Sequence, residues 1–167
     1  MKRLILFIAG VFMAGNSYCR EMAVAGQFYP AGKAELAAFV DKALAAGGAA
    51  KPKGAIVAVL APHAGYVFSG MVAGQAYKYI EDSYDTVVIF SAGHTTAVRG
   101  AALLAKGYYE TPLGKVPVDE ALAAALMKAS PLFEDKPEAH TREHAVEVQL
   151  PFLQRRLRKP FKLLAAT

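Results

Sequence analysis

The chain has 167 residues, of which 54% are hydrophobic and 20% are charged, and its formal net charge at pH 7 is +5. This length suits one domain with a substantial core, and a single cysteine, Cys19, excludes a scaffold built on disulfides. The densest basic cluster, Arg155–Lys159, ends a helical pattern and indicates a solvated helix end. We therefore expect no nucleic-acid partner.

The first 19 residues have the features of an export signal. Lys2 and Arg3 precede an apolar stretch over residues 4–15. That stretch is shorter than the roughly 20 apolar residues that a membrane-spanning helix needs. We predict a signal peptide over residues 1–19, and an exported, periplasmic or extracellular domain over residues 20–167. An uncleaved membrane anchor is the alternative.

Helical and strand patterns alternate after the signal. The spacing of apolar residues predicts helices at 34–46, 71–80, 119–128, with Asp119 as N-cap, and 141–157, with a kink at Pro151. Continuous apolar runs predict strands that are buried on both faces at 55–60 and 86–90. A weaker strand is predicted at 101–105, a turn at 111–114, and a last strand that begins at Phe161.

This alternation predicts an α/β fold with three layers, α/β/α, around a largely parallel or mixed central sheet. Ligands of such sheets bind beyond the carboxyl ends of the strands. His63 follows the first predicted strand by three residues, and His94 follows the second by four. If the two strands are neighbours, their imidazoles reach the same edge of the sheet and can bind one metal ion.

Ordinary structural roles remain open for these and the other polar candidates, since a loop histidine is often a hydrogen-bonding turn residue. His140 and His144 are four residues apart, so on a helix they share a face and either bind a metal together or leave one ring exposed. At a helix N-terminus His144 would stay neutral, as a general base requires. Glu143 and Glu147 are expected on a helix surface, and Tyr66 in the packing of the core.

Four stretches of this sequence resemble the Memo family, also known as AmmeMemoRadiSam system protein B. They are AVAGQFYP (23–30), APHAGYVFSG (61–70), ETPLGKVPVD (110–119) and EHAVEVQLPFLQ (143–154). Their order and spacing match as well, so the resemblance covers essentially everything after the predicted signal. The family's fold is similar to that of the LigB-type extradiol dioxygenases, whose α/β domain carries non-haem iron.

The resemblance implies roles for particular residues. His63 and His94 correspond to two histidines at the metal position, and His144 corresponds to a histidine where the dioxygenases keep an acid/base residue. Tyr66, His140 and Glu143 are candidates for contacting the substrate or for supporting the ligands. Iron(II) is the metal that the resemblance implies, with copper or zinc as alternatives.

Two departures from the family pattern bear on this site. The loop that usually reads Gly-Pro-x-His is Ser91–His94 here. Family members also continue with further strands and a third protein ligand, commonly a cysteine. We therefore expect the chain to be the N-terminal portion of a Memo-like domain, incomplete at its C-terminus, with weak or absent metal binding unless another group replaces that ligand. An exposed sheet edge at Leu163 and Leu164 would then invite association.

Three functions are compatible with these residues. The first is a metal-binding domain of uncharacterised activity. The second is a non-haem iron, dioxygenase-like oxidoreductase, because two histidines and one anionic ligand leave positions open for substrate and oxygen. The third is a non-catalytic member that binds a peptide or protein, or an inactive fragment. The expected partners are a small molecule, a peptide, or a protein that supplies or replaces the C-terminal half.

Overall fold

A computed structural model describes residues 18–48 and 50–167, which form an α/β fold with mixed sheets. The predicted signal peptide falls almost entirely on residues 1–17, outside the described residues. The helices are α1 (Lys33–Ala45), α2 (Tyr66–Tyr77), α3 (Glu120–Ala129), α4 (Pro137–Thr141) and α5 (Leu150–Arg156), and a 3-10 turn spans Glu147–Gln149. The strands are β1 (Cys19–Arg20), β2 (Thr86–Phe90), β3 (Ala101–Leu103), β4 (Tyr108–Thr111), β5 (Gly114–Pro117), β6 (Phe133–Asp135) and β7 (Lys162–Ala166). No helix among these is long and apolar enough to cross a membrane.

The larger sheet has the strand order β2-β7-β3-β6. β2 pairs with β7 in parallel over its whole length, β7 meets β3 in antiparallel orientation, and β3 pairs with β6 in parallel. The prediction of a mixed central sheet is therefore confirmed. β7 lies between two neighbours and its Leu163 and Leu164 are fully buried, so the expected exposed edge at these residues is wrong. The strands that have a partner on one side only, among the described residues, are β2 and β6.

Helices cover both faces of this sheet, as the side chains of β7 show. Leu163 and Ala165 pack into the main core, together with residues of α1, α2 and α5. Leu164 and Ala166 point the other way, into a second cluster with Ala123 of α3. Successive side chains of a strand alternate between faces, so β7 is buried on both and the arrangement has three layers.

The smaller sheet, with the order β1-β4-β5, joins the start of the described chain to its middle. The turn predicted at 111–114 connects β4 and β5 as an antiparallel hairpin. Cys19 and Arg20 pair in parallel with Tyr108 and Tyr109 of β4. The last residue of the predicted signal peptide, Cys19, thus lies in this sheet beside the first residue of the predicted mature domain.

Several predicted elements are confirmed with small shifts of their ends. β2 occupies its predicted residues 86–90, and α1 lies one residue before its predicted range. Asp119 caps α3, since its side chain accepts a hydrogen bond from the backbone N–H of Leu122 at 3.1 Å. α2 begins at Tyr66, five residues earlier than predicted. Gly74 lets α2 pack closely on α1, because a Cβ there would lie 2.5 Å from the carbonyl carbon of Ala43.

Two predicted elements are wrong. Residues 55–60 are not a strand but a mostly exposed segment without regular secondary structure, and no described strand pairs with it. An apolar run becomes a strand only when a neighbour completes its hydrogen bonds, which sequence alone does not supply. The helix predicted over 141–157 is not continuous: α4 already ends at Thr141, residues 142–146 are not helical, and the 3-10 turn and α5 follow. Pro151 does not kink a helix, because it lies in the first turn of α5, where proline is tolerated.

Candidate metal centre

Three histidines from distant parts of the sequence meet at one edge of the larger sheet. Each of His63, His94 and His144 offers one ring nitrogen, and these nitrogens all lie within 4.8 Å of one another. The ring centroids of His63 and His94 are 5.1 Å apart, those of His94 and His144 4.7 Å, and those of His63 and His144 5.7 Å. The cluster therefore brings together three groups that can act as ligands of one ion.

Each histidine reaches the cluster by a different local structure. His63 precedes α2 in a loop whose Pro62 carbonyl accepts a hydrogen bond from the Gln149 amide at 3.1 Å. His94 follows β2 by four residues, as the sequence predicts for a residue beyond a strand's carboxyl end. His144 lies in the turn after α4 rather than on a helix. His63 lies in the cluster although residues 55–60 are not a strand. The hydrogen bond from Gln149 holds the loop in place instead.

Glu143 is the polar centre of this region. It is buried, and its carboxylate accepts hydrogen bonds from the backbone N–H groups of His94 at 2.6 Å, His144 at 2.8 Å and Ala145 at 2.9 Å. Burial raises the pKa of Glu143, but the bonds from Ala145 and from the backbone and ring of His94 outweigh burial and lower that pKa to about 2. The expectation that Glu143 lies on a helix surface is wrong, because its charge is fixed by these donors.

The same carboxylate orients the His94 imidazole. His94 Nδ1 lies 2.9 Å from Glu143 Oε1. Because an ionised carboxylate only accepts, Nδ1 carries the proton and the lone pair of Nε2 is left free. A carboxylate behind an imidazole is the usual support of a metal-binding histidine, since it fixes the tautomer and raises the basicity of the ring.

His144 is kept neutral by its surroundings. Burial lowers its pKa, the nearby rings of His94 and His63 lower it further, and the Glu143 carboxylate opposes them. Phe28 packs edge-on against the His144 ring, with their centroids 4.9 Å apart. A neutral imidazole has a lone pair for a metal or for a proton, so the geometry suits either a ligand or a base.

Sequence reasoning missed a buried ion pair behind this centre. Arg20 and Glu147 are both buried, and their side chains form a salt bridge. Arg20 also donates to the backbone carbonyls of Glu143 and His140, and Glu147 accepts from the Tyr29 hydroxyl. Glu147 is therefore not on a helix surface, as its sequence position suggested. The one available signal was that two acidic residues, 143 and 147, flank His144 in an otherwise apolar stretch.

The structure does not bring His140 or Tyr66 to the histidine cluster. His140 is buried, and its Nε2–H donates to the Ala102 carbonyl at 3.0 Å while its Nδ1 lies 2.7 Å from the Tyr109 hydroxyl. It therefore links α4 to β3 and β4 and does not pair with His144. Tyr66 lies in the core, as its expected packing role requires, and its hydroxyl donates to the Val148 carbonyl at 2.8 Å.

An open cavity of about 560 Å³ lies beside two of the clustered histidines. Its walls include His63, His144 and the aromatic rings of Phe28 and Phe68. Its volume falls within the range of roughly 300–1,000 Å³ that is usual for small-molecule sites. The arrangement thus combines nitrogen donors for a cation with an apolar surface for a neighbouring ligand.

The chain is similar to a set of proteins that share one family. The sequence profile described as "Memo-like protein" matches residues 20–167. A MEMO1 family protein of Methanopyrus kandleri is 41% identical over 144 residues, which cover 81% of this chain and 51% of that protein. One from Aquifex aeolicus is 42% identical over 145 residues, covering 87% and 53%, and one from Pyrococcus abyssi is 44% identical over 137 residues, covering 81% and 47%.

The chain spans about half the length of these curated relatives. The family match nevertheless extends over residues 20–167, from the buried Arg20 to the end of the described chain. It includes the clustered histidines and the carboxylate that supports them. By this match, this chain belongs to the Memo family.

Proposed function

We propose that this chain is a metal-binding Memo-family domain whose ion is held by His63, His94 and His144. The observation that carries the proposal is the convergence of their ring nitrogens within 4.8 Å. The donor set fits a divalent transition metal, because imidazole suits iron, copper and zinc alike. Glu143 adds support, since it holds one ring in the tautomer that a metal requires.

Iron(II) is the metal we propose first, on the resemblance to non-haem iron proteins, with copper or zinc as alternatives. When bound, such an iron would supply redox chemistry towards oxygen. The chain's own residues would bind and orient: Glu143 holds the His94 ring, and Phe28 holds the His144 ring. The apolar wall formed with Phe68 would contact a ligand bound beside the metal.

Anaerobic calorimetry of iron(II) binding to the full chain tests this function. We expect about one equivalent to bind, and we expect His63→Ala or His94→Ala to weaken the affinity at least about tenfold, or about 1.4 kcal/mol. Glu143→Gln should weaken it by about 10–100-fold, because it removes the support behind a ligand. His140→Gln is the matched histidine control, since His140 lies outside the cluster. A folded chain that binds no metal would contradict the proposal and favour an inactive fragment.

The same measurement distinguishes two roles of His144, metal ligand and acid/base residue. If His144 is the third ligand, His144→Ala should weaken iron(II) binding as much as His63→Ala does. If His144 is instead an acid/base residue, as the resemblance implies, the affinity should stay unchanged while any turnover is lost. Competition with zinc(II) and copper(I) under the same conditions would identify the preferred metal.

A dioxygenase-like oxidoreductase is the second candidate, and the cavity beside the histidines favours it. Phe28 and Phe68 would pack on a small aromatic substrate, and His144 would hold or move its proton. Oxygen uptake by the iron-loaded chain with catechol as probe tests this activity. We expect Phe68→Ala to raise KM and His144→Ala to lower kcat. Stoichiometric iron without oxygen uptake would instead favour a binding function.

We also propose that the chain is exported. The support is the sequence pattern of Lys2, Arg3 and the apolar residues 4–15. Fractionation of cells that express the full chain, followed by N-terminal sequencing, tests it. We expect a mature protein that begins near residue 20 outside the cytoplasm, whereas an unprocessed cytoplasmic chain would overturn the proposal.

A further inference from the structure

The outer edge of β2 has backbone groups that no described strand pairs with. Lys162 donates to the carbonyl of Asp85, and Ser91 donates to the carbonyl of Ala166, each at 2.9 Å. The odd-numbered residues of this strand therefore direct their backbone groups towards β7. Because the direction alternates along a parallel strand, the N–H and C=O groups of Val88 point away from β7, to the free edge. Such an edge is a template for a further strand.

The segment over residues 55–60 lines the same cavity as this edge and also pairs with no described strand. Its sequence is AIVAVL, yet the side chains of Val57 and Leu60 are each 97% exposed. The described chain shows no backbone–backbone hydrogen bond from this segment, although the Ile56 carbonyl accepts one from the Tyr84 hydroxyl. Leaving an aliphatic side chain in water forgoes about 1.5–3 kcal/mol of burial. A strand-forming sequence thus has no described strand to pair with.

A cavity of about 600 Å³, here called the slot, lies between residues 55–60 and β2. One wall is the segment 56–61 and the other wall is β2. Tyr77 of α2, Ile80 just after it and Leu153 of α5 also line the slot. None of the residues that line it carries a fixed charge. The Ser91 hydroxyl, at one end of the slot, is buried and has no hydrogen-bond partner among the described residues. The slot is therefore apolar on its surfaces and offers hydrogen bonds along its edge.

We propose that this slot binds an extended apolar strand from the part of a Memo domain that this chain does not span. The relatives are about twice as long as the stretch they share with this chain, so they contain a further polypeptide of comparable length. A strand inserted between residues 55–60 and β2 would pair with both backbones and bury Val57, Leu60 and Phe90. The recognition mode is addition of a strand to a sheet edge, in which main-chain bonds give affinity and apolar contacts give specificity.

Two other occupants of the slot would give different experimental results. A second copy of this chain would produce a dimer from the isolated protein. A small apolar ligand would fill the cavity but leave the edge amides of β2 unbonded. A polypeptide strand satisfies both features, because it matches the unpaired backbone and the uncharged walls together. The proposal does not depend on metal binding, so each can fail without the other.

The test uses the full chain and a defined probe. The probe is the portion of the Aquifex aeolicus MEMO1 family protein that lies outside its match to this chain, produced as a separate polypeptide. The two polypeptides are co-expressed, and their complex is isolated by a tag on the probe. Hydrogen exchange is then measured for the amides of Thr86, Val88 and Phe90. We expect a 1:1 complex in which exchange at these amides slows at least a hundredfold.

Three variants of this chain locate the contact. Val88→Pro removes an N–H that faces the slot and leaves pairing with β7 intact, which an edge strand tolerates. Val57→Asp and Leu60→Asp place charges in the slot at positions too exposed to affect folding. Each should weaken the complex at least tenfold. Leu132→Asp is the matched control, because Leu132 is apolar and exposed but lies outside the slot, and it should have no effect.

The results that overturn the proposal are equally specific. They are a probe that stays insoluble or unbound in co-expression, or a complex that the three slot variants leave unchanged. A dimer of the isolated chain that these variants abolish would also overturn it, since the occupant is then a second copy. Iron(II) affinity measured on each variant shows whether the histidine cluster is intact independently of the slot.

Discussion

The region around Glu143 and the region beside β2 differ in how completely their groups are partnered. Around Glu143, buried charged side chains have hydrogen-bonding partners: Arg20 pairs with Glu147, and Glu143 binds several N–H groups. Beside β2, apolar side chains face water, and no other described strand pairs with the outer side of this edge strand. The contrast teaches that the histidine site is built from contacts within this chain, whereas the sheet next to it is not closed by them.

Breaking the buried ion pair should have the largest effect. Arg20→Met leaves Glu147 buried without its charged partner, so we expect the free energy of unfolding to fall by about 3–5 kcal/mol in urea titrations. Arg158→Met is the control, because Arg158 is 83% exposed, 3.6 Å from Asp82, and should change stability by less than about 1 kcal/mol. Equal effects of the two variants would show that the polar region does not stabilise the fold more than the surface does.

Replacing a buried leucine and an exposed leucine with alanine compares the interior of the sheet with its open side. Leu163→Ala removes a fully buried side chain from the central strand and should lower the free energy of unfolding by about 2–5 kcal/mol. Leu60→Ala removes the same atoms from a side chain that is 97% exposed and should change it by no more than about 0.5 kcal/mol. Thermal and urea unfolding measure both. A large loss from Leu60→Ala would mean that the slot is already closed in the isolated chain.

Stability should depend on pH through His140. Burial, together with the charge of Arg20, lowers the pKa of His140 to about 4, against the hydrogen bond to Ala102. In the unfolded chain this ring takes up a proton below pH 6.5, which the folded chain does not bind. Folding therefore loses stability as the pH falls, by about 2 kcal/mol from this group at pH 5. His140→Gln should flatten the pH dependence of urea unfolding, and an unchanged slope would contradict this account.

The smallest predicted effect concerns the cap of α3, which also contacts β2. Asp119 caps α3 and accepts a hydrogen bond from the Thr86 hydroxyl at 2.7 Å, at the start of β2. Asp119→Ala should lower the free energy of unfolding by about 1 kcal/mol. Asp119→Asn should keep most of the stability that Asp119→Ala loses, because asparagine is an equally good N-cap. If both variants lose the same amount, the charge and not the cap is what stabilises α3.

The sequence by itself determined the α/β class, β2, α1, the cap of α3 and the candidate histidines. Apolar periodicity and capping chemistry are local properties, so they can be read from neighbouring residues. His63 and His94 could be paired because both follow apolar runs, although only β2 is a strand. The family resemblance added the place of His144 near the same centre.

The tertiary structure alone decided which side chains are buried together. Arg20 lies more than a hundred positions from Glu147, and no local sequence pattern predicts their ion pair. It also decided that His140 joins strands while His144 faces the cluster, and that residues 55–60 stay unpaired. The physical reason is the same in each case: burial of a charge or pairing of a strand depends on a partner that is distant in sequence.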